Sequence, residues 1–143
     1  MDSSASYDPR YLAGIVLFNR GDFFEAHEVW EDLWMETAGE PRRYYQGLIQ
    51  AAVSLCHFCN GNVRGAMKLY HSSRDYMQRF GPQHQGLDVT DFCRQMELCY
   101  AELLHQPTLE QRIELDVNLF PNITLNPPPE TWPDPAPFLA EEK

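Results

Sequence analysis

The sequence predicts an all-α protein: a bundle of about five helices, built from two helical hairpins and a capping helix, with an extended proline-rich C-terminal tail. Three observations predict this fold. Apolar residues recur at helical spacing along most of the chain, glycines and prolines interrupt that pattern at short intervals, and no strand signal of useful length occurs. We expect a single helical-bundle domain over residues 8–120 and the tail over 121–143, because 143 residues suffice for one compact core.

Capping residues and helix breakers set the expected helix boundaries. An Asp or Asn precedes most of the periodic segments, proline occupies the first turn of two of them, and glycine follows several. Asp22 with Glu25 makes a capping-box-like start of the second helix. These signals place helices at about 8–19, 22–37, 41–60, 62–80 and 88–105, and one more short turn at 108–111.

The C-terminal tail differs sharply from the rest of the chain in composition. Seven of the 11 prolines lie within residues 121–137, and proline cannot continue a helix. We therefore expect an extended or polyproline-like segment. It either wraps the bundle through Ile123, Leu125, Trp132 and Phe138 or hangs free, and its aromatic residues favour at least partial wrapping, since disordered tails are usually poor in aromatics.

A residue pattern recurs after a shift of 40 positions. Phe18, Gly21, Asp22, Ala26 and Trp30 correspond to Phe58, Gly61, Asn62, Ala66 and Tyr70. In each copy the glycine would end one helix, the Asp or Asn would cap the next, and the alanine would let the two helices approach closely. The pattern resembles the glycine and alanine positions of tetratricopeptide repeats, although two copies are fewer than such an array needs. A true duplication and two generic hairpins that share turn chemistry both explain it.

Charge and composition exclude several function classes. Eleven Lys and Arg against 21 Asp and Glu give a net charge of −10, which opposes extended contact with nucleic acid or an anionic membrane surface. The start of the chain has no secretory signal pattern, so we expect a cytoplasmic protein with reduced cysteines. The charge-free run at 44–63 contains Gln, Ser, His and Asn, and this predicts a central buried helix and not a membrane span.

The most informative segment is Phe24-Glu25-Ala26-His27-Glu28-Val29-Trp30-Glu31, in the second helix. Apolar side chains cover most of the circumference of this helix, so the helix is expected to be buried. His27 and Glu31 fall between two apolar arcs. We therefore expect both side chains to point into the protein, where they need partners.

The third helix offers those partners. Arg43, Gln46, Gln50 and His57 fall within a stripe about 60° wide, opposite the apolar side of the helix. A short connection suggests that helices two and three pack antiparallel, which would bring the stripe toward the second helix. The predicted binding cluster is His27, Glu28, Trp30, Glu31, Arg43, Gln46, Gln50 and His57.

Three roles are open for this cluster. It could hold a divalent metal through His27, Glu31 and His57, although the second histidine of the His-Glu-x-x-His zinc motif is absent. It could supply an acid and base pair, with Glu28, Glu31 and His27 as catalytic candidates. It could also be a structural network in which Arg43 neutralises Glu28 or Glu31.

The function that we favour from these residues is a binding or interaction module for a protein or small molecule, with its pocket between helices two and three. The alternative is a metal-dependent enzyme, most simply a hydrolase, in which Glu28 is the base. Three Trp and seven Tyr in so short a chain are also compatible with self-association.

The cysteines and the remaining histidines carry weaker signals. Cys56 and Cys59 share a helical face, but Cys93 and Cys99 point to different faces of their helix, so no four-ligand zinc site forms. We expect buried, inert thiols. The other three histidines have no partner signature and are expected at the surface: His71, His84 and His105.

Three ordered segments carry a family resemblance: the signature of residues 24–31, the run Gln46-Gly47-Leu48-Ile49-Gln50-Ala51-Ala52, and Gly61-Asn62-x-x-Gly65-Ala66. Together they resemble the family catalogued as domain of unknown function 309, over about residues 11–76. The resemblance implies a small all-helical bundle of bacterial or archaeal type with no established activity. The residues that carry the match include much of the predicted cluster, and the tail lies outside it.

Overall fold

The computed structural model describes residues 6–105 and 116–139. It contains the helices α1 (Pro9–Asn19), α2 (Phe23–Met35), α3 (Glu40–Cys59), α4 (Val63–Gln78) and α5 (Val89–Leu104). The predicted all-α bundle is confirmed, with helix ends within a few residues of the expected ones. The short turn predicted at 108–111 lies outside the described residues.

Two helical hairpins, α1–α2 and α3–α4, form most of the bundle, and they close with the same turn. Gly21 and Gly61 have φ angles of 85° and 79°, a left-handed conformation that glycine adopts without strain. The N–H of the next residue donates to a carbonyl five positions earlier, at 2.9 Å in the first turn and 2.8 Å in the second. The predicted glycine turn is therefore confirmed in both copies. The predicted side-chain cap forms only in the second, where Asn62 accepts from Gly65 N, because Asp22 makes no side-chain cap bond with α2.

The helices pack in sequence order, with α2 between α1 and α3 and with α3 between α2 and α4. α5 lies against α4 and completes the core. The largest fully buried side chains are mostly aromatic and come from α1, α2, α3 and α5: Trp30, Tyr11, Tyr44, Tyr100, Phe18 and Phe92. The charge-free run lies in α3 and α4, and no helix in the described part of the chain has the length and apolar character needed to cross a membrane.

A small antiparallel hairpin between α4 and α5 was not expected from the sequence. Its strands, β1 (Gln83–His84) and β2 (Leu87–Asp88), have two residues each, so they are too short to show an alternating pattern. The hydroxyl of Tyr11 donates to the Gln85 carbonyl at 3.0 Å, and the hydroxyl of Tyr45 donates to Gln85 Oε1 at 3.1 Å. Buried tyrosines of α1 and α3 thus hold the tip of this hairpin.

His84 is not the surface residue that the sequence predicts. Its ring lies edge-on to Tyr44, with ring centroids 4.5 Å apart, and 4.9 Å from the ring of Phe80. Burial lowers the pKa of this imidazole from its ordinary value, because a charged ring would lose solvation there. The hairpin delivers the histidine to this aromatic contact, and His71 and His105 are exposed as expected.

The tail wraps part of the bundle. Ile123 and Leu125 are buried in the core, and Phe138 packs partly against it. Trp132, in contrast, is 42% exposed. The expected wrapping through apolar residues therefore holds for the first three of these side chains and not for the tryptophan.

Candidate functional site

His27 and Glu31 lie on the edge of α2. His27 Nδ1–H donates to the carbonyl oxygen of Phe24 at 3.0 Å, and His27 Nε2 lies 3.6 Å from Glu31 Oε2. The Glu31 side chain is 51% exposed. The expected inward orientation of Glu31 is wrong because apolar residues fill the inner face of α2, which leaves the polar flank at the surface. His27 and Glu31 therefore do not form an acid and base pair enclosed by apolar residues.

Trp30, the aromatic member of the predicted cluster, belongs to the core. It is fully buried, and its Nε1 donates to the main-chain carbonyl of Tyr11 at 3.1 Å. The indole lies directly over Gly14 of α1, where any Cβ would overlap it. Trp30 thus fixes the approach of α1 to α2 and faces no cleft.

His57 and Gln46, from the two halves of the polar stripe of α3, lie beside α4. His57 Nδ1 lies 3.3 Å from Asn62 Nδ2 at the start of α4, and a Cβ added at Gly65 would lie 3.1 Å from His57 Cδ2. Nearer the beginning of α3, Gln46 lines a cleft together with Tyr76 of α4. The eight predicted residues are therefore divided among the core, the edge of α2 and the α3–α4 side of the bundle.

The ion pair between Arg43 and an acid of α2, which the structural-network alternative requires, is not formed in the described residues. Arg43 Nη1 lies 3.4 Å from Glu40 Oε1, one turn earlier on its own helix. Glu28 is partly buried on α2, and its side chain has no hydrogen bond within the described residues. Gln50 Oε1 is buried without a hydrogen-bond partner among them.

The predicted metal ligands do not converge. His27 and Glu31 lie together on α2, whereas His57 contacts the start of α4. Within residues 6–105 and 116–139, no three His, Cys, Asp or Glu side chains are arranged to hold a metal ion. His27, Glu31 and His57 therefore do not form the predicted ligand set. The alternative of a metal-dependent hydrolase depended on these three side chains lying together.

The four thiols are more exposed than expected. Cys99 is buried, Cys56 and Cys93 are half-buried and Cys59 is exposed, and all four are free. Burial raises the pKa of Cys99 to about 12 and raises the pKa of Cys59 and Cys93 in the same direction. Protonated thiols are poor nucleophiles and metal ligands, so the surroundings of Cys59, Cys93 and Cys99 favour low reactivity.

Two hollows that share Arg43 and Tyr76 form a cleft on the α3–α4 side of the bundle, where α2 ends and α3 begins. One has a volume of about 350 Å³ and the other about 420 Å³. We call this site the arginine cleft; its lining residues are Trp34, Gly39, Glu40, Arg42, Arg43, Gln46, Ser72, Asp75, Tyr76 and Arg79. Each hollow has a volume typical of small-molecule sites.

The arginine cleft combines positive charge with aromatic surface. The guanidinium carbon of Arg42 lies 3.9 Å from the ring centroid of Trp34, a cation–π contact that orients the guanidinium. Among the described residues, Arg43 is paired only with the exposed Glu40, and such a surface pair is weak enough to be exchanged for a ligand. α3 also begins at this cleft, and Gly39 leaves its first N–H groups without a side-chain cap.

The model of the family described as Domain of unknown function (DUF309) matches residues 11–69. Over this segment, the chain resembles DUF309. The family resemblance drawn from the three ordered segments is confirmed.

Two relatives of known sequence are similar to the chain. YpuF, an uncharacterised protein of Bacillus subtilis (strain 168), is 33% identical over 101 residues, which are 68% of this chain and 58% of that protein. An uncharacterised protein of Aquifex aeolicus (strain VF5) is 28% identical over 100 residues, 68% of this chain and 30% of that protein. The chain thus spans less than two thirds of the length of either relative, and neither name specifies an activity.

The DUF309 segment includes one side of the arginine cleft. Trp34, Arg42, Arg43 and Gln46 lie within residues 11–69, and Tyr76 lies beyond them. Of the residues that line the cleft, only Arg43 and Gln46 belong to the binding cluster predicted from the sequence. A signal for Trp34 and Arg42 was present, because they flank the short Gly-Pro connection between α2 and α3, which brings the end of one helix to the start of the next.

Proposed function

We propose that this protein is a binding module whose arginine cleft takes a small anionic ligand, such as a phosphate or carboxylate attached to a planar group. The observation that carries the proposal is the concentration of Arg42, Arg43 and Arg79 around one cleft in a chain with a net charge of −10. Arginine presents a planar fork of donors that matches phosphate and carboxylate oxygens.

The charge balance of the cleft supports an anionic ligand. Its lining contains three arginines and two acids, Glu40 and Asp75, so the cleft is locally positive while the chain as a whole is strongly negative. A positive cleft in an acidic protein concentrates anions at one place and repels them elsewhere. The first turn of α3 adds the partial positive charge of a helix N-terminus.

The aromatic side chains indicate the rest of the ligand. Trp34 and Tyr76 both line the hollow of about 350 Å³, and an aromatic ring in that hollow would contact their apolar surfaces. Gln46 lines the same hollow with an amide that can both donate and accept hydrogen bonds. A ligand with a planar ring and an anionic group would therefore use both kinds of lining residue.

This proposal keeps the binding function that the sequence suggested and moves its location. Of the predicted cluster, Arg43 and Gln46 line the arginine cleft. Trp30 lies in the core, and the His27–Glu31 pair lies on the edge of α2. The pocket is therefore proposed at the end of the α2–α3 connection, beside α4, and not along the α2–α3 interface.

Calorimetric titration with inorganic phosphate and with phenyl phosphate tests the proposal. We expect phenyl phosphate to bind more tightly than phosphate. Arg43→Gln should weaken binding of both by about tenfold, the effect of losing one charge-assisted hydrogen bond. Trp34→Leu should weaken binding of phenyl phosphate more than binding of phosphate, because it removes the aromatic contact with the phenyl ring as well as the ring that orients Arg42.

Arg64→Gln is the matched control, because Arg64 is an exposed arginine of α4 that lines none of the clefts. It should bind both probes as the unsubstituted protein does. Equal weakening in Arg64→Gln and Arg43→Gln would mean that net charge, and not the cleft, determines binding. No heat of binding for either probe at millimolar concentration would overturn the proposal.

A further inference from the structure

The two hollows of the arginine cleft differ in chemistry. The first, of about 350 Å³, has two aromatic rings and an amide, from Trp34, Tyr76 and Gln46. The second, of about 420 Å³, is lined mainly by polar side chains of α4. Arg43 and Tyr76 line both hollows. A ligand that occupies both is therefore longer than a ring with one anionic group, and its two ends have different chemistry.

Three polar side chains of α4 line the second hollow and are free to bind a ligand. Ser72, Asp75 and Arg79 follow one another at spacings of three and four residues, so they form one row on the helix. Within residues 6–105 and 116–139, none of the three side chains forms a hydrogen bond or an ion pair, whereas Arg74 and Arg94 are both paired with acids. The row thus offers a hydroxyl, a carboxylate and a guanidinium to a ligand.

The carboxylate of Asp75 indicates what lies beside the anionic group of the ligand. A carboxylate accepts hydrogen bonds and repels a phosphate, so it suits an anion cleft when the ligand also carries hydrogen-bond donors. The Cβ atoms of residues four apart on a helix are about 5–6 Å apart, so Asp75 and Arg79 would bind two groups separated by roughly the width of a pentose. A pentose phosphate has hydroxyl donors and a phosphate at such a separation.

We propose that the arginine cleft binds a ribonucleoside 5′-monophosphate, an inference that rests on the proposed function and specifies its ligand. The base contacts the two aromatic rings of the first hollow, where the amide of Gln46 reaches its polar edge. The ribose hydroxyls donate to Asp75, and the phosphate accepts from Arg43 and Arg79. Because the chain has a net charge of −10, which opposes extended contact with a phosphate backbone, the ligand is a free nucleotide and not a nucleic acid strand.

Calorimetric titration of the full chain with adenosine 5′-monophosphate and its analogues tests the inference. Adenosine monophosphate should bind at least about tenfold more tightly than phenyl phosphate, because the ribose adds hydrogen bonds to a charged group. The 2′,3′-dideoxy analogue, which lacks those hydroxyls, should lose this advantage. Ribose 5-phosphate should bind about tenfold less tightly than adenosine monophosphate, because it lacks the stacked base. This series uses the unsubstituted chain, so it does not depend on the folding of a variant.

Asp75→Ala separates the ribose contact from the binding of the anion. It should weaken adenosine monophosphate about tenfold and leave phenyl phosphate and the dideoxy analogue bound at least as tightly as before, because neither uses the carboxylate. The control is Glu102→Ala, at an exposed acid of α5 that lines neither hollow. It removes the same charge and should bind every probe as the unsubstituted chain does. Equal weakening of all probes by Asp75→Ala would contradict a contact with the ribose.

Failure of this inference differs from failure of the proposed function. If adenosine monophosphate and its dideoxy analogue bind equally while phenyl phosphate still binds, the ribonucleotide is wrong and the anion cleft stands. L-tryptophan is the competing probe, because its ammonium group could bind Asp75 and its carboxylate Arg79. Tighter binding of tryptophan than of adenosine monophosphate would also overturn the ribonucleotide. No binding of any probe at millimolar concentration would overturn both the inference and the proposed function.

Discussion

The α1–α2 and α3–α4 hairpins close with the same turn and hold their helices together in different ways. In both, a glycine in the left-handed conformation is followed by an N–H that donates five residues back. In both, a fully buried alanine, Ala26 or Ala66, lies one turn into the second helix. The repeated spacing in the sequence therefore corresponds to a repeated structure.

The packing between the helices differs. In the first hairpin, the indole of Trp30 fills the space over Gly14. The position equivalent to Gly14 in the second hairpin is Ser54, which is buried and donates to the Ala66 carbonyl at 2.6 Å. Ser73 donates to the Gly47 carbonyl at 2.7 Å in the same interface. The first hairpin thus depends on a close aromatic fit, and the second on hydroxyl-to-carbonyl bonds, so shared turn chemistry does not determine how two helices pack.

Gly14→Ala, in the first hairpin, is the substitution for which we expect the largest loss of stability. The Cβ of Gly14→Ala would overlap the Trp30 indole, a rigid ring that is buried on all sides. We expect the free energy of unfolding to fall by about 2–3 kcal/mol, the usual cost of overpacking a tight core. Urea denaturation measures it.

Gly47→Ala is the matched change in the second hairpin. Its Cβ would lie 2.6 Å from Met77 Sδ and 3.1 Å from Tyr76 Cβ. The thioether can rotate away, and alanine favours the helix, so the loss should be about 1 kcal/mol or less. Equal losses at the two positions would contradict the distinction between an aromatic fit in one hairpin and adaptable contacts in the other.

A histidine of the α1–α2 hairpin, His27, differs in its surroundings from His84 of β1, which follows the α3–α4 hairpin, and the pH dependence of stability should reveal the difference. His27 lies at the surface beside Glu31, whereas His84 packs on Tyr44 with its Nε2 buried and without a partner in the described residues. The pKa of His84 is lowered from 6.5 by burial, so the unfolded chain binds this proton more readily than the folded chain. The free energy of unfolding should therefore fall as the pH drops below about 6.5 and should recover above it.

His84→Phe should remove this part of the pH dependence, since a phenyl ring keeps the aromatic contacts and does not titrate. His71→Gln, a change at an exposed histidine of α4, should leave it unchanged. The measurement is the difference in urea midpoint between each variant and the unsubstituted protein from pH 5 to 8. A pH profile of His84→Phe parallel to that of the unsubstituted protein would show that this imidazole is not responsible.

The sequence was sufficient for the parts of the fold that local interactions determine. All five helices, the positions of Gly21 and Gly61 in the turns and the break after α4 follow from capping residues, breakers and apolar periodicity. The hairpin around Gln85 and the path of the tail could not be predicted, because their hydrogen bonds join residues far apart in the sequence. Asn19 and Ile123, for example, are 104 positions apart.

The candidate site was predicted only in part, for a different physical reason. Periodicity showed that Arg43, Gln46, Gln50 and His57 share one side of α3, but it does not show which neighbouring helix that side faces. The choice of α2 followed from connection length, whereas close contact of Gly47 with α4 turns the stripe toward α4 instead. A polar group between two apolar arcs, such as Glu31, likewise lies inside or outside according to tertiary packing.

The helix caps give the smallest and cleanest test of the two hairpins. The side chain of Asn62 accepts from Gly65 N at 3.0 Å, whereas its counterpart Asp22 makes no side-chain cap bond with α2. Asn62→Ala should therefore cost about 1 kcal/mol of stability, and Asp22→Ala only about 0.3 kcal/mol, through the loss of a negative charge near the helix N-terminus. Urea denaturation in 0.1 M and 1 M salt separates the two effects, because salt screens the charge effect and leaves the hydrogen bond. If Asp22→Ala proves as costly as Asn62→Ala at both salt concentrations, the two turns are equivalent in solution and the difference between the caps is wrong.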